Sequence, residues 1–210
     1  MFSRRRLQFA AVGVVLVAYS LLSHYSYLNP QERDLGAGLA LAPVVVIGTG
    51  LIWRWRGMRW AAISAAAAAT LLGVSWPLLA NNFAVVNLVQ QCGFYAILGL
   101  SFAVSLLKNR VPLCTQLADK VHGPLTAQEL RYTRQVTAAW AVFFAAIVAA
   151  TFLLFEFVPL RIWSLFVNFC SLPLVSLMFA AELAVRRRVL PKTTHGGLIA
   201  TLRVYFAHPP

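Results

Sequence analysis

The chain has 210 residues, 60% of them hydrophobic and 11% charged, with a formal net charge of +12. That apolar share, with a positive mean hydropathy, excludes an ordinary soluble domain. In a soluble protein such a charge would point to nucleic acid, but here the basic residues flank apolar stretches in four separate segments without a recognition fold, so no nucleic-acid partner is expected.

The N-terminus carries Arg4, Arg5 and Arg6 and runs into the first apolar stretch, about Leu7–Tyr25. No small-residue cleavage site follows it at Ser23-His24-Tyr25, so it reads as an uncleaved first span. Asn29-Pro30 marks a turn, with Glu32, Arg33 and Asp34 beside it. The second span, Leu35–Trp53, holds Pro43, which removes a helical hydrogen bond and predicts a kink. Gly36, Gly38, Gly48 and Gly50, with the alanine run of the third span, supply surfaces for close helix approach. Arg54, Arg56 and Arg59 separate the second span from the third, Trp60–Leu79. Ala80-Asn81-Asn82 is a tight turn into the fourth, Phe83–Leu107, which carries Asn87, Gln90 and Gln91.

Lys108–Gln135 is the one sizeable connection. Leu113, Leu117 and Val121 recur every four residues and predict a short amphipathic helix at the membrane surface, ended by Gly123-Pro124. Thr126 followed by Glu129 matches a capping box, so the next helix is expected from about Ala127, ahead of the fifth span Val136–Phe157. The turn at Pro159 leads to the sixth span, Ile162–Val185, with Pro173 inside it and Ser164, Asn168 and Ser171 on one face. Glu182 precedes Arg186 by four residues, the spacing of an ion pair. Residues 186–210 read as a cytoplasmic tail, in which Leu198, Ile199, Leu202 and Phe206 suggest an interfacial helix.

Each stretch is about as long as a helix needs to cross a hydrocarbon core, roughly 20 residues. Threaded alternately, sixteen of the eighteen Lys and Arg fall on one side, leaving only Arg33 and Arg161 on the other. The positive-inside rule then puts both termini in the cytoplasm. Trp53, Trp55, Trp60 and Trp140 fall near the inner span ends, and Trp76 and Trp163 near the outer ones, as an aromatic belt would have them. The expected fold is therefore an all-α membrane protein of six transmembrane helices, N-in and C-in, with a short amphipathic cytoplasmic helix between spans four and five.

No Walker loop, zinc-protease helix or nucleophile elbow occurs, and no catalytic residue is assigned. The three cysteines, Cys92, Cys114 and Cys170, have no CxxC spacing; no disulfide framework, metal or cofactor is expected. Polar residues inside a bilayer are the default places for function. Asn87, Gln91, Ser164 and Asn168 form such a candidate cluster, in the outer halves of spans four and six, either lining a cavity or joining helices through amide hydrogen bonds. On the cytoplasmic side His122, Arg131 and Arg134 are candidate docking residues. His122 lacks the spacing of a His-xxxx-Asp acyltransfer motif, since Ala127 stands five residues on.

The segment Val111-Pro112-Leu113-Cys114-Thr115, Val121-His122-Gly123-Pro124-Leu125 and Arg131-Tyr132-Thr133-Arg134-Gln135-Val136-Thr137, continuing to Trp140, resembles a family of bacterial membrane proteins. Its members are found with fatty-acid-like and aryl-polyene (xanthomonadin-type) biosynthesis enzymes. The resemblance is concentrated over Leu106–Phe144 and implies a pathway, not a catalytic residue. It suggests an inner-membrane accessory or scaffold protein, in contact with membrane lipids and with soluble acyl-carrier or acyl-transfer enzymes on its cytoplasmic face. The rival readings are a transporter or flippase of an amphipathic product, using the polar faces of spans four and six, and a membrane enzyme acting on an acyl or lipid group.

Overall fold

The computed structural model describes residues 2–29 and 31–190; the side chains of residues 2–10, Val12 and His122 lie outside this description, as do residues 191–210 with the expected interfacial helix of the tail. All regular structure among the described residues is helical: α1 (Phe2–Leu28), α2 (Arg33–Arg56), α3 (Met58–Asn81), α4 (Phe83–Ser105), α5 (Leu113–His122), α6 (Ala127–Phe157), α7 (Leu160–Leu165), a π-helical turn (Phe166–Cys170) and α8 (Ser171–Val189). Five stretches are long and apolar enough to cross a membrane: α2, α3, α4, α6 and the run Leu160–Val189. The expected first span falls on α1, whose apolar part among the described residues, Gly13–Leu28, is shorter. Large apolar side chains point outward along these helices, Val74 and Phe157 being 80% exposed. That is a surface suited to hydrocarbon, not water.

The chain divides into two compact units: residues Met1–Cys92 with Thr151–Cys170, and Gly93–Ala150 with the remainder from Ser171. In the first, α1, α2 and α3 are packed in sequence order, and the α7 and π-helical segment lies against α1. The Tyr19 hydroxyl donates to the Leu39 carbonyl at 3.1 Å. The Trp76 indole N–H reaches the Asp34 carboxylate at 2.7 Å, and the Arg33 guanidinium reaches the Asn81 amide oxygen at 3.2 Å. Gly36 is buried where an added Cβ would lie 2.6 Å from the Phe83 ring, whereas Gly48 and Gly50 face open space. Of the four glycines expected at close contacts, Gly36 is thus the one that a neighbour excludes from carrying a side chain.

In the second unit α4 ends two residues before its expected boundary at Leu107. Leu106 and Leu107 instead make tightened turns onto Ala103 and Val104. The amphipathic α5 forms where its four-residue apolar spacing predicts, and closes at Gly123, whose φ of +76° suits glycine. Its first turn has no cap of its own, because Pro112 precedes it. Two hydroxyls from other helices serve instead: Ser105 accepts the Leu113 N–H at 3.1 Å, and Thr137 accepts the Cys114 N–H at 3.2 Å. Thr115 and Thr133 share a further bond of 2.7 Å. The capping box of α6 forms as expected. Glu129 accepts from the Thr126 backbone N–H at 2.7 Å and from its hydroxyl at 2.8 Å, while the Glu129 N–H reaches back to the Thr126 hydroxyl.

One departure follows from local chemistry. The sixth span is not a uniform α-helix, because the π-helical turn sits just before Pro173. Proline offers no N–H to the carbonyl four residues back and its ring crowds that carbonyl, which an extra residue in the turn relieves. Two of the six tryptophans are turned into the protein: Trp163 is fully buried with its N–H on the Thr151 carbonyl at 3.0 Å, and Trp140 is buried among Phe102, Phe143, Phe144 and Phe179. Trp53, Trp55 and Trp60 remain exposed.

Candidate functional site

The intramembrane polar residues come together in the first unit around the core of Leu88, Trp163 and Val167. Asn87 is buried and its amide donates to the Tyr27 hydroxyl at 2.7 Å. The Tyr27 ring stands edge-on to Trp163, with centroids 5.5 Å apart. Ser164 has no exposed surface; its hydroxyl lies 2.6 Å from His24 Nδ1 and donates to the Arg161 carbonyl at 2.9 Å. Asn168 donates to the Ser164 carbonyl at 2.9 Å. Gln91 lies one turn beyond Asn87 and is half-buried. The side-chain N–H groups of Asn87 and Asn168 and the hydroxyl of Ser164 are therefore engaged in helix contacts and with their own backbone. His24 and Tyr27, the partners that complete this set, lie three residues apart on α1. Their helical spacing is the signal that would have joined them to the cluster.

The second unit holds a cleft of about 170 Å³ between α5, α6 and α8. One face of α6 forms its long wall, with Glu129, Tyr132, Val136 and Trp140 succeeding one another at three- and four-residue steps and Thr133 beside Tyr132. Phe179, Glu182 and Arg186 of α8, with Leu190 just past its end, face them, and Cys114, Leu117, Ala118 and Val121 of α5 close the third side. The Tyr132 hydroxyl donates to the Glu182 backbone carbonyl at 3.2 Å and to its carboxylate at 3.3 Å. The Gln128 amide reaches the Val189 carbonyl at 3.1 Å, so α6 and α8 are tied side chain to backbone at two levels. Burial pushes the Cys114 thiol above its ordinary value; the Thr137 bond opposes this and the Glu182 carboxylate adds to it. A protonated thiol is a weak nucleophile.

Glu182 and Arg186, expected as an ion pair, both line this cleft. Of the expected docking residues, Arg131 is exposed. Arg134 is exposed too, but its guanidinium is held by the Leu106 carbonyl at 3.1 Å, past the end of α4. The backbone of His122 closes α5, while its side chain lies outside the described residues. No group of three or more His, Cys, Asp or Glu side chains able to hold a metal occurs among the described residues. The cleft was missed in the sequence because its members are spread over three helices. Comparison with protein-family models, curated proteins and solved structures gave no match for the chain.

Proposed function

We propose that this is a bacterial inner-membrane protein of six spans, both termini cytoplasmic, that serves as an accessory docking platform for soluble enzymes handling acyl or polyene chains. The observation that carries this reading is the anchoring of α5. Thr137, Ser105 and the Thr115–Thr133 pair hold it firmly against its neighbours. Lys108, Arg110, Lys120 and Arg131 stand exposed on and around it. An ordered helix fringed by cations is a landing surface for an acidic soluble protein, and acyl-carrier proteins have that charge. Helix α6 supports the placement: its 31 residues span about 46 Å against a hydrocarbon core of about 30 Å. One end must therefore stand clear of the lipid, and the end carrying Arg131 and Arg134 is the polar one. The resemblance over Leu106–Phe144 supports the pathway. The burial of Asn87 and Ser164 and the bonds each makes to α1 favour helix packing over a transport route.

The test is affinity capture of the full chain from native membranes in mild detergent, at low and high salt, with mass spectrometry. Acyl-carrier or acyl-transfer proteins are expected at low salt. They should be lost near 1 M salt, where the screening length falls to about 3 Å, and lost in the double variant Lys120→Gln, Arg131→Gln. Arg134 is left intact because it holds the Leu106 carbonyl. Capture indifferent to salt, or of lipid alone, overturns the docking role.

A further inference from the structure

We propose that the corner between α2 and α3 binds anionic phospholipid, with Arg54, Arg56 and Arg59 on its phosphate and Trp53, Trp55 and Trp60 at the level of its glycerol and esters. The stretch Trp53–Trp60 reads Trp-Arg-Trp-Arg-Gly-Met-Arg-Trp and holds three of the chain's six tryptophans. Both helices are long and apolar enough to cross a membrane, and only Gly57 separates them. The corner therefore sits where hydrocarbon gives way to headgroups, the level that indole rings favour. All three indoles and all three arginines are exposed there.

The arginines are not used within the protein. Among the described residues none of the three guanidinium groups makes a hydrogen bond or an ion pair; Arg56 lies over the Trp60 ring, 6.0 Å from its centroid. A guanidinium over a ring face keeps its in-plane N–H donors. The contact thus steadies Arg56 across the joint and leaves it able to grip a phosphate through two parallel bonds.

No acidic side chain competes for these cations. All six aspartates and glutamates of the chain are among the described residues, so the undescribed side chains can add positive charge to the corner but no carboxylate side chain. Three of the six, Glu32, Asp34 and Glu156, belong to the first unit. Glu32 and Asp34 stand at the opposite end of α2, about 30 Å from Arg54, several times the screening length of about 8 Å at physiological salt. Glu156 follows Phe155, whose ring packs on Trp163 and through it on Tyr27, near that same far end. An acidic soluble protein would be met by the arginines alone. The indoles at the apolar boundary match an occupant with an anionic head and a hydrocarbon body, and a basic segment beside a membrane span draws such lipids. The inference holds whichever side of the bilayer the corner faces, and whether or not soluble enzymes dock at α5.

The test uses the full chain in phosphatidylcholine nanodiscs with traces of photoreactive phosphatidylglycerol or phosphatidylcholine, each with the same diazirine close to the ester. Phosphatidylglycerol should label residues 51–63 about 10-fold more than phosphatidylcholine does, a difference of about 1.4 kcal/mol. Replacing the three arginines by glutamine should bring the ratio to about one. The triple variant Arg54→Lys, Arg56→Lys, Arg59→Lys keeps every charge but not the two-bond grip, and should lower the ratio about 3-fold. Equal labelling of the wild type by the two lipids overturns the proposal. So does a preference no larger than that at residues 186–190, or one that the lysine variant keeps in full, since either reports positive charge alone. Should the glutamine variant fail to insert, the lysine variant and the wild-type comparison decide the matter.

Discussion

At the scale of single residues, the membrane makes a polar side chain's partner more telling than its identity. Ser64, Thr70, Ser101 and Ser176 each return their hydroxyl to a carbonyl three or four residues back in their own helix. That satisfies them without a neighbour. Thr137, fully buried, differs: its hydroxyl donates to the Thr133 carbonyl at 2.8 Å and also accepts the first-turn N–H of Cys114. In sequence the two kinds look alike. The glycines make the same point in a form that can be measured. Gly36→Ala forces a methyl into the Phe83 ring, and overpacking of that kind costs about 1–3 kcal/mol. Gly48→Ala enters open space, where exchanging glycine for alanine within a helix gains up to about 1 kcal/mol. Thermal unfolding in detergent should show Gly36→Ala clearly destabilised and Gly48→Ala unchanged or slightly raised. The sequence proposed both glycines as contact points, because a glycine reveals that close approach is permitted and not whether anything approaches.

At the scale of elements, what was legible is what local chemistry dictates. The capping box at Thr126 and Glu129, the stop at Gly123-Pro124 and the four-residue spacing of α5 are each written within a few residues, and each formed. The π-helical turn was not foreseen, because Pro173 announces a disturbance without saying how the helix will absorb it. Pro173→Ala restores the missing N–H and should let Phe166–Cys170 return to ordinary α-helix. Removing the extra residue in that turn rotates what lies on one side of it by about 100° relative to the other. A nitroxide on Cys170, exposed in the present arrangement, should then lose its accessibility to lipid-dissolved oxygen in electron spin resonance, with Cys92 and Cys114 replaced by alanine. Unaltered accessibility would mean that something other than the proline holds the π turn, the Asn168 bond to the Ser164 carbonyl being the nearest candidate.

For the whole molecule, the hydropathy of the chain was enough to anticipate an all-helical protein with membrane-length helices. The side on which each loop lies rests on the distribution of Lys and Arg, a bias imposed during insertion rather than by packing. Reporter fusions address it directly. A cytoplasm-active fluorescent reporter joined after Pro210 should be bright, and a periplasm-active phosphatase joined after Asn82 should be active. The opposite pattern would reverse the threading and remove the basic surface from the side where acyl-carrier proteins reside. The cleft between α5, α6 and α8 was illegible for a different reason. Its α6 wall follows helical periodicity and is readable in retrospect, but the facing residues of α8 lie about forty positions away or more, and no local rule pairs Trp140 with Phe179 or Tyr132 with Glu182.

The joint between α2 and α3 is a single residue. Gly57, at φ +86° and ψ 176°, donates its N–H to Trp53 and accepts that of Ala61, so that it closes one helix and opens the next. This backbone region is essentially closed to other residues, and the connection contains no slack. Helices joined by a loop can each tilt to suit the thickness of the surrounding bilayer. These two share one setting of depth and must lean together, like planks nailed at one end. When the bilayer thickens or thins, its mismatch with α2 is therefore also felt by α3.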